Sequence, residues 1–365
     1  MEIGIIGLSQ SGKTTVFNAV TRGHAPIVAS APGAKANLGV AKVPDERLDR
    51  LDEIFKPKKK VPAEVIYIDI PGAPQGLGKG EGIGGEFLNR LQRADAILHV
   101  VRVFDEPSVA HVEGSVDPYR DIGSMDMELA FADLAILERR QQRLENDLKK
   151  AKTQDRDGIR REQALIDKIK SELEKGVPIR GQSLDQAEIA ALVGFQFLTA
   201  KPLLQVLNIS EAQLMEVATY ERDLASQVGG ESVVSAVLAG KLEADLVRLT
   251  EVEEAEFRES MEAGESGLRR ILRLSFALLG MISFLTVGED EVRAWTVARA
   301  TLAGKAAAKI HSDIERGFIR AEVVSYDDMV ACQTMAEARK RGVLRVEGKD
   351  YPIVDGEIVN FLFNV

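Results

Sequence analysis

Two hydrophobic periods run through the chain. Short β-branched stretches at 2–6, 64–69, 96–104, 203–208 and 232–236 are apolar at most positions, the pattern of strands buried on both faces. The first is followed by a glycine loop and then Val16, Phe17, Ala19 and Val20, which read as a helix. Strands alternating with helices predict an α/β fold with a parallel sheet covered on both sides. From Ala130 the period changes. Ala130, Leu134, Leu137, Gln141, Leu144, Leu148 and Ala151 recur four and three apart, a heptad seam. The polar run 154–158 interrupts it, and Ile159, Ile166, Ile169 and Leu173 make a second seam that ends at 176–178. The two seams predict an inserted antiparallel coiled coil. Its charged faces suit either plain solvation or a docking arm. The tail predicts a strand at 293–297, a helix over 302–316 and short strands closing at 357–364, an α+β module.

Composition narrows the classes. A length of 365 residues suits two or three domains, and 45% hydrophobic with 28% charged residues is the balance of a folded globular protein. The net charge of −10 excludes a broadly basic nucleic-acid coat, so any RNA contact is regional and no DNA specificity is expected. Cys332 is the single cysteine, which excludes an internal disulfide or a cysteine metal cluster and points to a reducing compartment. No uninterrupted apolar run reaches 18 residues, and the first ten lack a signal-peptide pattern. No membrane partner and a cytoplasmic location are expected.

The chemistry begins at the first loop. Gly7-Leu-Ser-Gln10-Ser11-Gly12-Lys13-Thr14-Thr15 has the G-x-x-x-x-G-K-T spacing of a P-loop between a strand and a helix. In such a loop the backbone amides of Gln10, Ser11, Gly12 and Thr15 surround phosphates, Lys13 reaches the β- and γ-phosphates, and Thr14 binds Mg²⁺. Asp69 ends a later strand and opens D-x-x-G with Gly72, roughly 55 residues after the loop. The Asp would hold a water on the metal, and the Gly72 amide would sense the γ-phosphate. The glycines of 76–85 suit a mobile switch. His99 lies within a strand and reads as packed, whereas His111 sits in an acidic loop from which it is free to reach a site. Asn208-Ile209-Ser-Glu211 stands where guanine-reading proteins carry N-K-x-D. Glu in place of Asp displaces the guanine fork, and an Asn amide matches the N6 and N7 edge of adenine, which tilts the site toward ATP. The same Asn also suits a helix N-cap. Ser235 and Ala236 supply small residues beside the base.

Together these motifs, with Lys79-Gly-Glu-Gly82, 111–118, Glu291-Val-Arg-Ala-Trp-Thr296, 309–322 and Gly348-Lys-Asp-Tyr351, carry an end-to-end resemblance to the YchF/Obg-like ATPases, a branch of the translation-factor-related GTPases. The resemblance implies an OBG-type nucleotide-binding domain over 1–122 and 198–280, a coiled-coil insertion at 123–197, and a ubiquitin-like TGS domain at 281–365. It implies ATP preferred over GTP, Mg²⁺, slow hydrolysis, and association with the ribosome through rRNA and protein. A monomer is expected. His111 maps onto a histidine proposed to help the attacking water, and Ala73 stands where members have a larger apolar residue. The chain departs from the pattern at Ser9-Gln10, normally Pro-Asn, and at 29–39, which holds no threonine to ligate the metal. These departures describe a divergent member. They leave two other readings open: an ordinary GTPase, and a nucleotide-gated interaction module with negligible turnover.

Overall fold

The computed structural model describes residues 1–23, 37–70, 85–227, 232–261 and 263–364. The strands are β1 (Glu2–Ile6), β2 (Asn37–Lys42), β3 (Lys59–Val61), β4 (Glu64–Asp69), β5 (Ala96–Arg102), β6 (Leu203–Asn208), β7 (Val233–Leu238), β8 (Met281–Val287), β9 (Glu291–Ala298), β10 (Phe318–Val324), β11 (Arg345–Glu347) and β12 (Ile358–Phe363). The helices that matter below are α1 (Lys13–Thr21), α2 (Glu46–Phe55), α3 (Gly85–Arg93), α4 (Pro118–Lys150), α5 (Arg156–Glu174), α6 (Gln186–Leu192), α7 (Val217–Gln227), α8 (Gly240–Leu246), α9 (Glu251–Ser260), α10 (Gly267–Leu278), α11 (Ala303–Ile310) and α12 (Ser312–Arg316).

The chain divides into two compact units, 1–39 with 66–270, and 40–65 with 271–365. In the first, the sheet order is β2-β4-β1-β5-β6-β7. β1 pairs in parallel with β4 and β5, β5 with β6, and β6 with β7. All five therefore end at one edge of the sheet, where α/β folds build their ligand sites. β5 and β6 are buried at every position, which is why both are apolar at most positions, with His99 and Arg102 in β5 and Gln205 and Asn208 in β6 buried among them.

Helix α4 is longer than its heptads suggest. It starts at Pro118, with Asp117 accepting the Arg120 N–H at 3.1 Å as N-cap, and runs 33 residues. Its first half buries Met125, Leu129 and Ala132 against Ile6, Ile97 and Leu203 of the sheet. Its second half packs Leu137 and Leu144 with Ile166, Ile169 and Leu173 of α5. Gln141, on the same seam, donates to Asp167 at 2.9 Å. At the change of role sits Asp133, fully buried, which accepts the N–H groups of Leu198 and Thr199 at 2.8 and 2.7 Å. Burial raises its carboxyl to about 6, against the pull of those amides.

The second unit is built on a sheet of order β11-β10-β12-β8-β9-β3. Residues 40–65 belong to it through β3, which pairs in parallel with β9 from Lys59 opposite Glu291. The helix expected over 302–316 is two helices. His311 is extended at φ −162° and ψ 145°, and its Nδ1 accepts the Asp313 N–H at 3.1 Å to start α12. In its core Phe284 stacks on Trp295 and meets Phe361 edge-to-face, packed with Ala303, Ala306 and Ala307 of α11.

Candidate functional site

The loop after β1 is fixed by glycine sterics. At Gly7 a Cβ would lie 2.3 Å from Val100 O, and at Gly12, with φ +92°, 2.2 Å from Asn208 Nδ2. Gln10 is also left-handed, at φ 64°. Among the described residues no side chain caps the start of α1, which leaves its first turn open to an anion. Lys13 is 8% exposed, and its Nζ donates to Gly7 O at 2.9 Å and Leu8 O at 2.8 Å. Burial pushes its pKa down to about 8, with Asp69 opposing the shift. Ser11 Oγ is buried without a partner among the described residues, and Thr15 is half-buried on α1.

Asp69 meets this loop from the end of β4. Its Oδ2 accepts from Thr14 Oγ1 at 2.9 Å and from Asn37 Nδ2 at 3.3 Å, while Oδ1 is buried with no partner among the described residues. A hydroxyl beside a carboxylate with one unused oxygen is an all-oxygen donor set, which fits Mg²⁺ supplemented by water and phosphate. Among the described residues no group of three His, Cys, Asp or Glu side chains forms a complete protein cage. Gly72, Ala73, the glycine run of 76–84 and the 29–36 segment lie outside the described residues.

At the end of β6 the structure gives the Asn208 amide two partners within the protein. The side chain is 3% exposed; Nδ2 donates to Ser11 O at 2.9 Å, and Oδ1 accepts the Gly240 N–H at 3.0 Å. The amide ties the phosphate loop to the start of α8 and keeps one Nδ2 hydrogen beyond these two bonds. It does not cap the following helix: Ser210 does, in a capping box with Gln213, and 211–216 is a 3₁₀ segment before α7. Ile209 is buried among Leu207, Val237 and Leu242, and Glu211 is exposed. Ser235 and Ala236 lie inside β7, opposite Gln205 and Val206, so they do not form a loop. The turn at the level of Asn208 is Ala239-Gly240, since Asn208 pairs with Leu238.

The two histidines differ as expected in one respect only. His99 is 1% exposed inside β5, and burial, with Lys13 and Arg180 adding repulsion, lowers it to about 3, so it stays neutral. His111 is not free: its side chain is 5% exposed and Nε2 lies 2.9 Å from Asp121 Oδ2. Arg102, buried at the end of β5, donates to the carbonyls of Phe104 and Val109 at 3.1 and 2.8 Å and so shapes the loop leading to His111. The structure therefore joins Lys13, Thr14, Asp69 and Asn208 around one loop. Asn37 and Gly240 contact this group, and Arg102 and Asp121 contact the segment that carries His111; the sequence motifs did not single them out. Only Asp121 left a signal, an acidic residue in the first turn after Asp117-Pro118.

No helix among the described residues is long and apolar enough to cross a membrane. Residues 2–132 match the family described as "50S ribosome-binding GTPase", and residues 281–364 match the C-terminal family of YchF GTPases, described as "Protein of unknown function (DUF933)". The chain is 38% identical to the Ribosome-binding ATPase YchF of Bacillus subtilis and 41% identical to that of Haemophilus ducreyi, with 99% of each chain covered. It is also similar to the solved structure of the Schizosaccharomyces pombe YchF GTPase, with a TM-score of 0.84 and 31% identity, over 99% of this chain and 97% of that one. With a phosphate-type loop at the sheet edge and this likeness along nearly its whole length, the chain belongs to the YchF family.

Proposed function

We propose that the protein binds ATP with Mg²⁺, hydrolyses it slowly and uses the cycle to switch its association with the ribosome. The observation that carries this reading is the phosphate corner. Lys13 is desolvated and held on its own loop carbonyls, beside an uncapped helix start and a Thr14–Asp69 pair with a spare carboxylate oxygen. An anion entering there gives the Lys13 ammonium a counter-charge in place of two carbonyl dipoles. Gln10, Ser11, Gly12 and Thr15 supply backbone amides, and Thr14 with Asp69 would hold the metal, whose chemistry is to neutralise phosphate charge. Catalysis is then positioning and charge stabilisation, with His111 orienting water and Gly72 sensing the γ-phosphate.

The names of the bacterial relatives support ATP and the ribosome. The partner surfaces in this reading are rRNA and ribosomal protein, met by the 123–197 arm and the 281–365 TGS domain of a cytoplasmic monomer, while 1–122 and 198–280 handle the nucleotide. A GTPase is the second reading. The Schizosaccharomyces pombe relative is described as one, and in this reading the Asn208 amide, bonded to Ser11 and Gly240, serves the loop rather than base choice. Discrimination then falls on Ile209 and Glu211. Multiple-turnover phosphate release with ATP and GTP in Mg²⁺ tests the proposal. Release from ATP exceeding that from GTP, and lost in Lys13→Ala, supports it; faster GTP turnover favours the second reading, and none with either nucleotide makes the chain an interaction module.

A further inference from the structure

Asn37 opens β2 and Asp69 closes β4, and the two strands are neighbours in the sheet. Just beyond their other ends, the Val43 N–H donates to Ala63 O at 2.8 Å. Six residues back from Val43 and six on from Ala63 bring Asn37 abreast of Asp69, the count of an antiparallel pair. Gly39 seats this strand against the helix of the phosphate loop: a Cβ there would lie 2.5 Å from Thr21 Cγ2 and 2.9 Å from Phe17 Cζ of α1. From that place the half-buried Asn37 donates from Nδ2 to Asp69 Oδ2 at 3.3 Å, the same oxygen that accepts from Thr14 Oγ1 at 2.9 Å. Asp69 Oδ1 is buried and has no partner among the described residues.

We propose that Asn37 is the positioning residue for Asp69. Two donors on Oδ2 fix the plane of the carboxylate and leave Oδ1 as the oxygen free to meet Mg²⁺ or its water. This rests on the reading of Thr14 and Asp69 as the residues that hold the metal, and it names what orients one of them. Thr14 has two tasks there. Its hydroxyl carries one hydrogen and two lone pairs, so it can donate to Oδ2 while a lone pair faces the metal. Asn37 has the one task of holding Oδ2, and as a neutral amide it adds no positive charge that would compete with the cation, as a lysine or arginine would. Mg²⁺ demands near-octahedral geometry and takes few carboxylates, so the orientation of this one bears directly on its affinity. Groups that orient a metal ligand without touching the metal are worth about 10–100-fold in metal affinity.

The test uses the full chain, with Mg²⁺ and a non-hydrolysable ATP analogue as probes. The analogue is titrated calorimetrically over a range of Mg²⁺ and in EDTA, into the native protein, Asn37→Ala, Asp69→Ala and the double variant. Asn37→Ala is expected to raise the Mg²⁺ needed for half-maximal tightening about tenfold, with affinity in EDTA changed less than about twofold. In the Asp69→Ala background it is expected to cost nothing further. Equal losses in Mg²⁺ and in EDTA would show a merely structural role and overturn the assignment, as would an unchanged Mg²⁺ dependence. A further loss in the double variant shows Asn37 acting without Asp69 and also overturns it. No Mg²⁺ effect in the native protein, or an effect that survives Asp69→Ala, overturns the metal reading of Asp69 and this inference with it. Should Asn37→Ala fail to fold, Asn37→Leu decides by the same comparison, since it keeps the branching of the side chain and cannot donate.

Discussion

The two corners of the sheet edge, at the ends of β1 and β6, treat their polar groups in opposite ways. At the phosphate corner Lys13 is stripped of water and held at a pKa of about 8, and Ser11 Oγ and Asp69 Oδ1 are buried without partners. At the other corner both atoms of the Asn208 amide are satisfied by the protein. Unpaired buried polar groups cost free energy, and at this corner a bound phosphate and its metal would complete them. Saturated ones are scaffold. The contrast assigns nucleotide affinity to the first corner and architecture to the second.

Lys13→Ala breaks the comparison from the ligand side and carries the largest expected effect. Calorimetry should show nucleotide affinity reduced at least ~100-fold, about 3 kcal/mol, with an unchanged circular dichroism spectrum. Asn208→Ala breaks it from the scaffold side. Removing the amide strands Ser11 O and the Gly240 N–H, and denaturant titration should show a loss of about 2–4 kcal/mol. ATP and GTP affinities should fall together, so a changed ratio between them would return Asn208 to base recognition.

The third prediction reads the desolvation of Lys13 directly. Below pH 8 the amine is protonated whether the chain is folded or not, and its burial cost is fully present. As pH rises from about 8 toward the unfolded value of 10.5, the folded protein releases its proton first, the unfolded state binds more, and stability rises. The nucleotide-free protein should gain about 1–3 kcal/mol over this window relative to Lys13→Met, in parallel urea titrations. Parallel pH profiles for the two would show the amine already solvated. The smallest effect is at Gln10, a non-glycine residue held at φ 64°. Asn tolerates this region better, so Gln10→Asn should stabilise the loop by about 0.5–1 kcal/mol, read as a shift in the unfolding midpoint.

Legibility followed the same divide. The phosphate loop could be read because its function is written in contiguous spacing, and Asp69 because it ends a β-branched strand. Asn208 was visible but its tie to Ser11 was not, since that contact depends on β6 bringing it beside a loop 197 residues earlier in the chain. Asn37 acquires its role only through contact with Asp69, and no local pattern marks that. In α4 the heptads marked the half that pairs with α5. The sheet-facing half was announced by Asp117-Pro118 alone, because Gly123, Ser124 and Asp126 dilute its apolar spacing. β2 and β3 are partly exposed and too weakly apolar to stand out, and their place is decided by pairing across distant sequence. The break at His311 turns on one side chain capping the next helix, a choice that the helix-forming alanines before it conceal.

The central claim, that affinity resides in the phosphate corner, is tested most directly by calorimetric titration of the nucleotide-free protein with ATP, ADP and adenosine in the presence of Mg²⁺. The account predicts binding of ATP and ADP and none measurable for adenosine, because the base and ribose meet a corner whose conserving bonds are already made within the protein. Adenosine binding within about tenfold of ATP would contradict it, since the phosphates would then contribute no more than about 1.4 kcal/mol.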